Sequence, residues 1–269
     1  MEVVNIPADK EDEFYNARNE RLAIIRRSNP KREYRFATLF GAGSGLSAML
    51  GMMHAAIEES VKNNGGYLTY LSFDGVSAGA LICMFLAHVN ILDPYEVMNE
   101  IKFILSLGEQ GLNTGAFNLQ RKPWVFFCAE NFSSVINFDK FFSWLSKEIL
   151  TRRKKVLEYH KRHNVKCTYA FIRVMCSTEY GPQIMCHRSG DDAAGFDFHE
   201  TLTAAINSAR IPLLAPGGAL GANALLSKGA FDGGMTAMAV PPHHRMIEML
   251  ASDRPHELLG VDAYCANST

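Results

Sequence analysis

Ser77 stands in a sequence frame that can make a serine nucleophilic. It lies in Gly75-Val-Ser77-Ala-Gly79, directly after the apolar, strand-like run of residues 67–73. A chain that passes from a strand straight into a helix makes a sharp turn. Small residues at Gly75 and Gly79 let that turn close while the serine hydroxyl projects outward. The frame therefore predicts a hydroxyl that can attack a carbonyl carbon.

A serine hydroxyl is a weak nucleophile at neutral pH, so it needs a base and donors for the oxyanion that forms. A run of small residues at 41–45 follows the strand-like segment 34–40 and precedes a helical pattern. Small residues allow successive backbone N–H groups to point into one concavity. The nucleotide-binding alternative is disfavoured, because no Gly-Lys-[Ser/Thr] follows and Leu46 replaces the last glycine of G-x-G-x-x-G. We expect the oxyanion donors to come from Gly41, Ala42, Gly43 and Ser44.

An acidic candidate, Asp232, lies on a glycine turn in Asp232-Gly-Gly234 after a short apolar pair. Three histidines follow it in the chain, namely His243, His244 and His256, so a Ser-His-Asp triad stays open as an alternative. These histidines do not have the H-E-x-x-H spacing of a zinc site. We expect the reaction to use neither a metal nor another cofactor.

Two consecutive strand, glycine turn and helix units, at 34–62 and 67–89, predict an α/β fold with a mostly parallel sheet. The glycine loop and the elbow then lie at the carboxyl ends of their strands, where ligand crevices form. Further strands are predicted near 167–176 and 183–187. Further helices are predicted at 93–107, 138–163 and 198–208, while 108–137 is irregular and rich in aromatic residues.

The amino-acid composition limits the classes of function that are expected for this protein. With 269 residues, 48% of them hydrophobic, the chain can bury one substantial core, and we expect one domain at 31–269 behind a charged helix or arm at 1–30. The net charge of −1 argues against a nucleic-acid partner. Apolar runs long enough to span a membrane are absent from the sequence, and the six cysteines show no C-x-x-C spacing. We expect a cytoplasmic protein.

In these motifs and their order, over roughly residues 36–235, the chain resembles a patatin-like phospholipase domain. Gly41-Ala-Gly43 is similar to the oxyanion loop of that family, and the elbow around Ser77 matches its G-x-S-x-G motif. Residues 204–212 resemble the Ala/Ser-rich helix end, followed by proline, that the family has. Asp232-Gly-Gly234 resembles the family's catalytic aspartate motif. The family loop commonly continues with Arg or Lys and then Gly, whereas this chain has Gly45 and Leu46.

The resemblance implies a three-layer α/β/α patatin-like fold with a mostly parallel central sheet. It also implies a Ser77-Asp232 dyad that works without histidine, through an acyl-enzyme that water resolves. The implied activity is hydrolysis of phospholipids or other lipid esters at a peripheral membrane surface, as a phospholipase A or lysophospholipase. A homo-oligomer and an activator protein stay open as partners. Two alternatives remain, a triad esterase or acyltransferase and a catalytically silent scaffold or interaction module.

Overall fold

A computed structural model describes the parts of the chain that form the sheet and the helices around it. These are residues 34–39, 46–63, 70–115, 120–121, 136–137, 139–178, 180–189, 197–210, 230–236 and 256–261. The predicted arm at 1–30 and the predicted oxyanion residues Gly41, Ala42, Gly43 and Ser44 lie outside these ranges.

A six-stranded sheet organises the described residues. Its strands are β1 (Tyr34–Leu39), β2 (Tyr70–Val76), β5 (Phe171–Thr178), β6 (Gly181–His187), β7 (Ala230–Phe231) and β8 (His256–Val261). They lie in the order β6-β5-β2-β1-β8, with β7 beside β5. Although most of the chain separates β1 from β8 in the sequence, β1 pairs in parallel with both β2 and β8. A separate pair, β3 (Gln120–Arg121) and β4 (Ile136–Asn137), lies in the segment predicted to be irregular.

The sheet is mixed, so the expectation of a mostly parallel sheet was wrong. Strands β8, β1, β2 and β5 run parallel, but β6 and β7 both pair with β5 in antiparallel fashion. Only residues 179 and 180 separate β5 from β6, and a connection that short permits a hairpin but not the crossover that a parallel pair requires. The described residues establish an α/β fold, and the three-layer arrangement stays a prediction.

Five α-helices are described, and they follow the predicted helical segments closely. They are α1 (Leu46–Asn63), α2 (Ala78–Leu86), α3 (Pro94–Asn113), α4 (Asp139–Arg162) and α5 (Phe198–Ser208). Helix α3 begins at a proline, whose fixed φ suits a first helical turn. It continues six residues beyond the predicted end, because the glycines at positions 108 and 111 each lower helix stability by only about 1 kcal/mol.

Helix α2 lies at the centre of the core. It packs against β2 and β5 of the sheet and against α3, α4 and α5. Its side chains are almost all apolar and buried, including Ile82 and Phe85, and they join Phe73 of β2 and Ile172 of β5 in one cluster. A helix buried on every side explains why residues 78–87 carry no charge. Among the described helices, none is both long and apolar enough to cross a membrane.

Candidate active site

Ser77 occupies the turn between β2 and α2 in a strained backbone conformation. Its φ is 54° and its ψ is −123°, which is unusual for a residue with a Cβ atom. Ser77 is also the N-cap residue of α2, where a serine side chain ordinarily accepts a hydrogen bond from the helix backbone. Here the hydroxyl makes no such bond, so the turn leaves it free for other partners.

Gly75 and Gly79 are glycines because the chain touches itself at both positions. A Cβ atom at Gly75 would lie 2.5 Å from the carbonyl oxygen of Gly79. A Cβ atom at Gly79 would collide with the carbonyl oxygen of Leu39, at the end of the neighbouring strand β1. The two glycines therefore allow the end of the strand to approach the first turn of the helix closely, as the sequence frame predicted.

Ser77 and Asp232, which are 155 residues apart in the sequence, meet at the carboxyl end of β2. The Ser77 hydroxyl donates a hydrogen bond of 2.8 Å to Oδ2 of Asp232, and both side chains are buried. Asp232 reaches this position because β7 pairs with the last residues of β5, with Phe231 opposite Ser177. The two residues singled out in the sequence are thus brought together, with a carboxylate positioned to accept the serine proton.

The turn after β7 holds the Asp232 carboxylate in place. Its second oxygen, Oδ1, accepts a hydrogen bond of 2.7 Å from the backbone N–H of Gly234, and the backbone N–H of Asp232 donates to the carbonyl of Arg210 at 2.9 Å. Burial raises the pKa of Asp232, and the hydrogen bonds from Ser77 and Gly234 only partly oppose that effect. A carboxylate with a raised pKa is a stronger base than an exposed aspartate.

Ser208, at the end of α5, joins the elbow to the sheet. Its hydroxyl oxygen accepts a hydrogen bond of 2.7 Å from the backbone N–H of Ser77, and the hydroxyl donates to the carbonyl of Met175 in β5 at 2.5 Å. Ser208 is completely buried. Ser208 belongs to the family-like helix end at residues 204–212, but its role was not predicted, because no local pattern identifies a contact that spans 131 residues.

A buried ion pair connects β2 and β5 beneath the elbow. Arg173 Nε donates to Asp74 Oδ1 at 2.8 Å, and its Nη2 donates to Oδ2 of the same carboxylate. Ser72 also donates to the carbonyl of Phe171 across the same two strands, at 2.8 Å. This ion pair was not predicted. A charged residue inside each of two apolar strands was a usable signal for it, because buried charges are almost always paired.

The structure separates one candidate histidine from the serine. His256 is the first residue of β8 and pairs with Tyr34, the first residue of β1. Because β8, β1 and β2 are parallel, His256 lies at the amino edge of the sheet, whereas Ser77 follows the carboxyl edge. Six residues of strand span roughly 20 Å, which is too far for a proton transfer. His243 and His244 lie outside the described residues.

An apolar cavity of about 250 Å³ opens among α1, α2, α3 and α4. Leu81, which lines it, is one helical turn after Ser77, and Leu46, which also lines it, is the first residue of α1. The rest of its wall is largely aliphatic and aromatic, including Phe85, Ile104 and Trp144. The cavity suits an apolar group better than a polar one. In the described part of the chain, no three His, Cys, Asp or Glu side chains cluster as metal ligands would.

Comparisons with known proteins give distant similarity only. The crystal structure of VipD from Legionella pneumophila is similar with a TM-score of 0.37 and 13% identity, over 87% of this chain and 50% of that one. The structure of the heterodimeric complex ExoU-SpcU from the type III secretion system of Pseudomonas aeruginosa is similar with a TM-score of 0.24 and 12% identity, over 60% of this chain and 33% of that one. This chain thus spans half the length of the first structure and a third of the second. No family model and no curated protein matches the sequence.

Proposed function

We propose that this protein is a lipid acyl hydrolase of the phospholipase A or lysophospholipase type, with Ser77 as nucleophile and Asp232 as general base. The observation that carries the proposal is the 2.8 Å hydrogen bond from the Ser77 hydroxyl to the Asp232 carboxylate, made from a strained elbow. Strained backbone and a buried base directed at a hydroxyl are features that cluster at sites of nucleophilic catalysis.

In the proposed reaction, Asp232 takes the proton of Ser77 as the serine oxygen attacks the ester carbonyl. The resulting oxyanion is bound by backbone N–H groups of the loop at Gly41, Ala42, Gly43 and Ser44, as the family resemblance implies. Asp232 then gives the proton to the departing alcohol, which leaves an acyl group on Ser77. A water molecule, deprotonated by the same carboxylate, resolves this acyl-enzyme.

The apolar cavity supports an ester with a hydrocarbon chain as the substrate. Leu81 of its wall lies one helical turn after Ser77 in α2. We propose that an acyl chain bound in the cavity has its carbonyl end towards the serine. Each methylene group that leaves water for such a cavity contributes about 0.8 kcal/mol of binding free energy. We further propose the three-layer patatin-like fold, a cytoplasmic location and contact with a lipid surface.

The proposal is tested with purified wild-type, Ser77→Ala and Asp232→Asn proteins and a Ser106→Ala control. Ser106 is a matched serine on α3 whose hydroxyl bonds only within its own helix region, to the carbonyl of Phe103 at 2.7 Å and to the side chain of Gln110. Fatty-acid release from mixed phospholipid vesicles and from lysophospholipid micelles is measured by mass spectrometry. Labelling by a fluorophosphonate probe is mapped to its peptide.

We expect the wild type and Ser106→Ala to release fatty acid and to be labelled at Ser77. Ser77→Ala abolishes both, while its circular dichroism spectrum stays native. Activity retained in Ser77→Ala would refute the proposal. Loss of activity in a folded His243→Ala or His244→Ala variant would favour the triad esterase. A folded wild type that neither reacts with the probe nor releases fatty acid would favour the silent interaction module.

A further inference from the structure

Two side-chain hydroxyls, from Ser177 and Thr236, hold the turn that carries Asp232 against β5. The short helical turn Gly233–Met235 begins directly after Asp232, and the aspartate side chain accepts from the N–H of Gly234 within it. Ser177 is the second-last residue of β5 and is completely buried, whereas Thr236 directly follows the turn and is exposed. Neither hydroxyl belongs to the proposed dyad.

The two hydroxyls form a chain of hydrogen bonds that ends at Gly233, the residue after the aspartate. The Thr236 hydroxyl donates to the Ser177 hydroxyl oxygen at 2.6 Å, and the Ser177 hydroxyl donates to the Gly233 carbonyl at 3.3 Å. The same carbonyl also accepts the backbone N–H of Thr236 at 3.1 Å. A serine hydroxyl has a single proton, so the bond accepted from Thr236 directs that proton towards Gly233. Each bond in such a chain polarises and strengthens the next.

The backbone of the turn also lies directly against β5. A Cβ atom at Gly233 would collide with the carbonyl oxygen of Met175, and it would lie 3.0 Å from the hydroxyl oxygen of Ser208. That Ser208 oxygen accepts the backbone N–H of Ser77 at 2.7 Å. The turn and the elbow are therefore both fixed to the last residues of the same strand. Strand β5 is the common support for the two groups of the proposed dyad.

The distance between the Ser77 and Asp232 side chains depends on this support. Strand β7, which precedes the aspartate, has only two residues, so its pairing with β5 gives the turn few backbone hydrogen bonds. The proposed proton transfer runs along a hydrogen bond of 2.8 Å. A displacement of about 1 Å between reacting groups can cost roughly 100-fold in rate. A side chain that fixes the turn to the strand therefore bears on the rate of the reaction.

We propose that Ser177 is a positioning residue of the hydrolase reaction, oriented by Thr236. Its hydroxyl holds the turn so that the Asp232 carboxylate stays within hydrogen-bonding distance of Ser77. This inference rests on the proposed function, since it assigns a support to the same dyad. In this role neither hydroxyl contacts the substrate or exchanges a proton with it. Their loss should therefore lower kcat and leave KM nearly unchanged.

The test compares purified Ser177→Ala, Thr236→Val and Thr236→Ser with the wild type and with a Ser189→Ala control. Ser189 is a buried serine whose hydroxyl also donates to a backbone carbonyl of another segment, that of Ala87 at 2.9 Å. It follows β6, which ends beside the first residues of β5, at the sheet edge opposite to the dyad. Steady-state hydrolysis of lysophospholipid, the rate of fluorophosphonate labelling at Ser77 and thermal unfolding are measured for each protein.

We expect Ser177→Ala to lower kcat at least about tenfold, with KM within about twofold of the wild type, and to slow labelling by a similar factor. Thr236→Val keeps the shape of the side chain without its hydroxyl and should lower kcat several-fold. Thr236→Ser keeps the hydroxyl and should retain nearly the full kcat. Because Thr236 acts through Ser177, adding Thr236→Val to Ser177→Ala should cause no further loss. Ser189→Ala should lose stability but keep kcat.

Failure of this inference differs from failure of the proposed function. A wild type that hydrolyses the lipid, with equal kcat in Ser177→Ala and Ser189→Ala, would overturn the positioning role and leave the proposed function intact. A raised KM with unchanged kcat in Ser177→Ala would do the same. If Ser177→Ala does not fold, the exposed position decides, and equal kcat in Thr236→Val and Thr236→Ser would overturn the role. A wild type that is neither active nor labelled would overturn both proposals.

Discussion

The backbone N–H of Ser77 donates a 2.7 Å hydrogen bond to the side chain of Ser208, so the end of α5 holds the strained elbow. Ser208 also donates to the Met175 carbonyl in β5. One hydroxyl thus satisfies a donor of the elbow and an acceptor of the sheet. Because both groups are buried, water cannot replace the Ser208 hydroxyl as their hydrogen-bond partner if that hydroxyl is removed.

We expect Ser208→Ala to lower the free energy of unfolding by about 1–3 kcal/mol, because it leaves a buried N–H group and a carbonyl without their partner. The elbow also loses its support, so kcat for ester hydrolysis should fall while KM changes little. Urea unfolding and steady-state kinetics measure the two effects. Thr203→Ala is the control on the same helix, since Thr203 is exposed and bonds only to the carbonyl of His199. Equal effects of the two substitutions would contradict the role given to Ser208.

Asp232→Asn should make the protein more stable at pH 7 and inactive. Burial raises the pKa of Asp232 in the folded protein. The protonated carboxyl group therefore favours folding at pH values below the ordinary pKa of an aspartate, and this contribution is lost as the pH rises through the raised pKa. At pH 7 the buried carboxylate therefore opposes folding, and the asparagine removes that charge. We expect a higher Tm for the variant at pH 7 and a smaller difference near pH 4. Hydrolysis should fall on the order of 10³-fold or more.

The wild-type pH profile provides a separate check on that base. Because the carboxylate must be ionised to accept the proton of Ser77, kcat/KM should rise with pH through the raised pKa of Asp232. The rise should therefore lie above the range in which an exposed aspartate titrates. An activity that is flat with pH from 4 to 8 would not fit Asp232 as the base.

Gly79→Ala should destabilise the protein strongly, because the added methyl group collides with the Leu39 carbonyl oxygen, which belongs to the sheet and cannot move aside easily. We expect a loss of about 3 kcal/mol or more in the free energy of unfolding. Gly51→Ala is the matched control in α1, where a Cβ atom meets nothing within 4 Å. There alanine should stabilise the helix by about 0.5–1 kcal/mol. Denaturant midpoints of the two variants should move in opposite directions.

Filling the apolar cavity should change acyl-chain selectivity. Gly108 lines the cavity from α3, and a Cβ atom there meets nothing within 4 Å. We expect Gly108→Leu to reduce hydrolysis of long-chain esters at least fivefold relative to short-chain esters, because the new side chain occupies space meant for the acyl chain. Gly108→Ala, which adds one carbon at the same position, should leave the ratio nearly unchanged. If Leu and Ala give the same ratio, the acyl chain binds elsewhere.

Local sequence patterns were sufficient for the elements that carry the site. Helix α5 has the predicted bounds of Phe198 and Ser208, and the turn at Asp232 lies where its sequence predicted. The strand before Ser77 is Tyr70–Val76, three residues later than the predicted run at 67–73. These elements have strong local signals, since the small residues at 75 and 79 allow a tight turn between strand and helix, and the apolar run that follows favours a buried helix.

Two features had no local signal. Strand β8 was missed because His-Glu-Leu-Leu-Gly-Val does not alternate between polar and apolar residues, and its parallel partner β1 lies more than 200 positions earlier. The antiparallel pairing of β7 with β5 likewise depends on tertiary contact, because a two-residue strand has no pattern of its own. Pairing partners at long sequence separation are set by the assembled core, which the single sequence does not display.

The position of β8 in the sheet also sets an order of events during synthesis. On the ribosome, β1 and β2 emerge early, but β8, which closes the outer side of β1, is made only after every other described element. Until then β1 exposes a row of unpaired backbone groups, which is a template for association with other chains. A nascent chain of this protein should therefore depend on chaperone protection until residues 256–261 have left the exit tunnel.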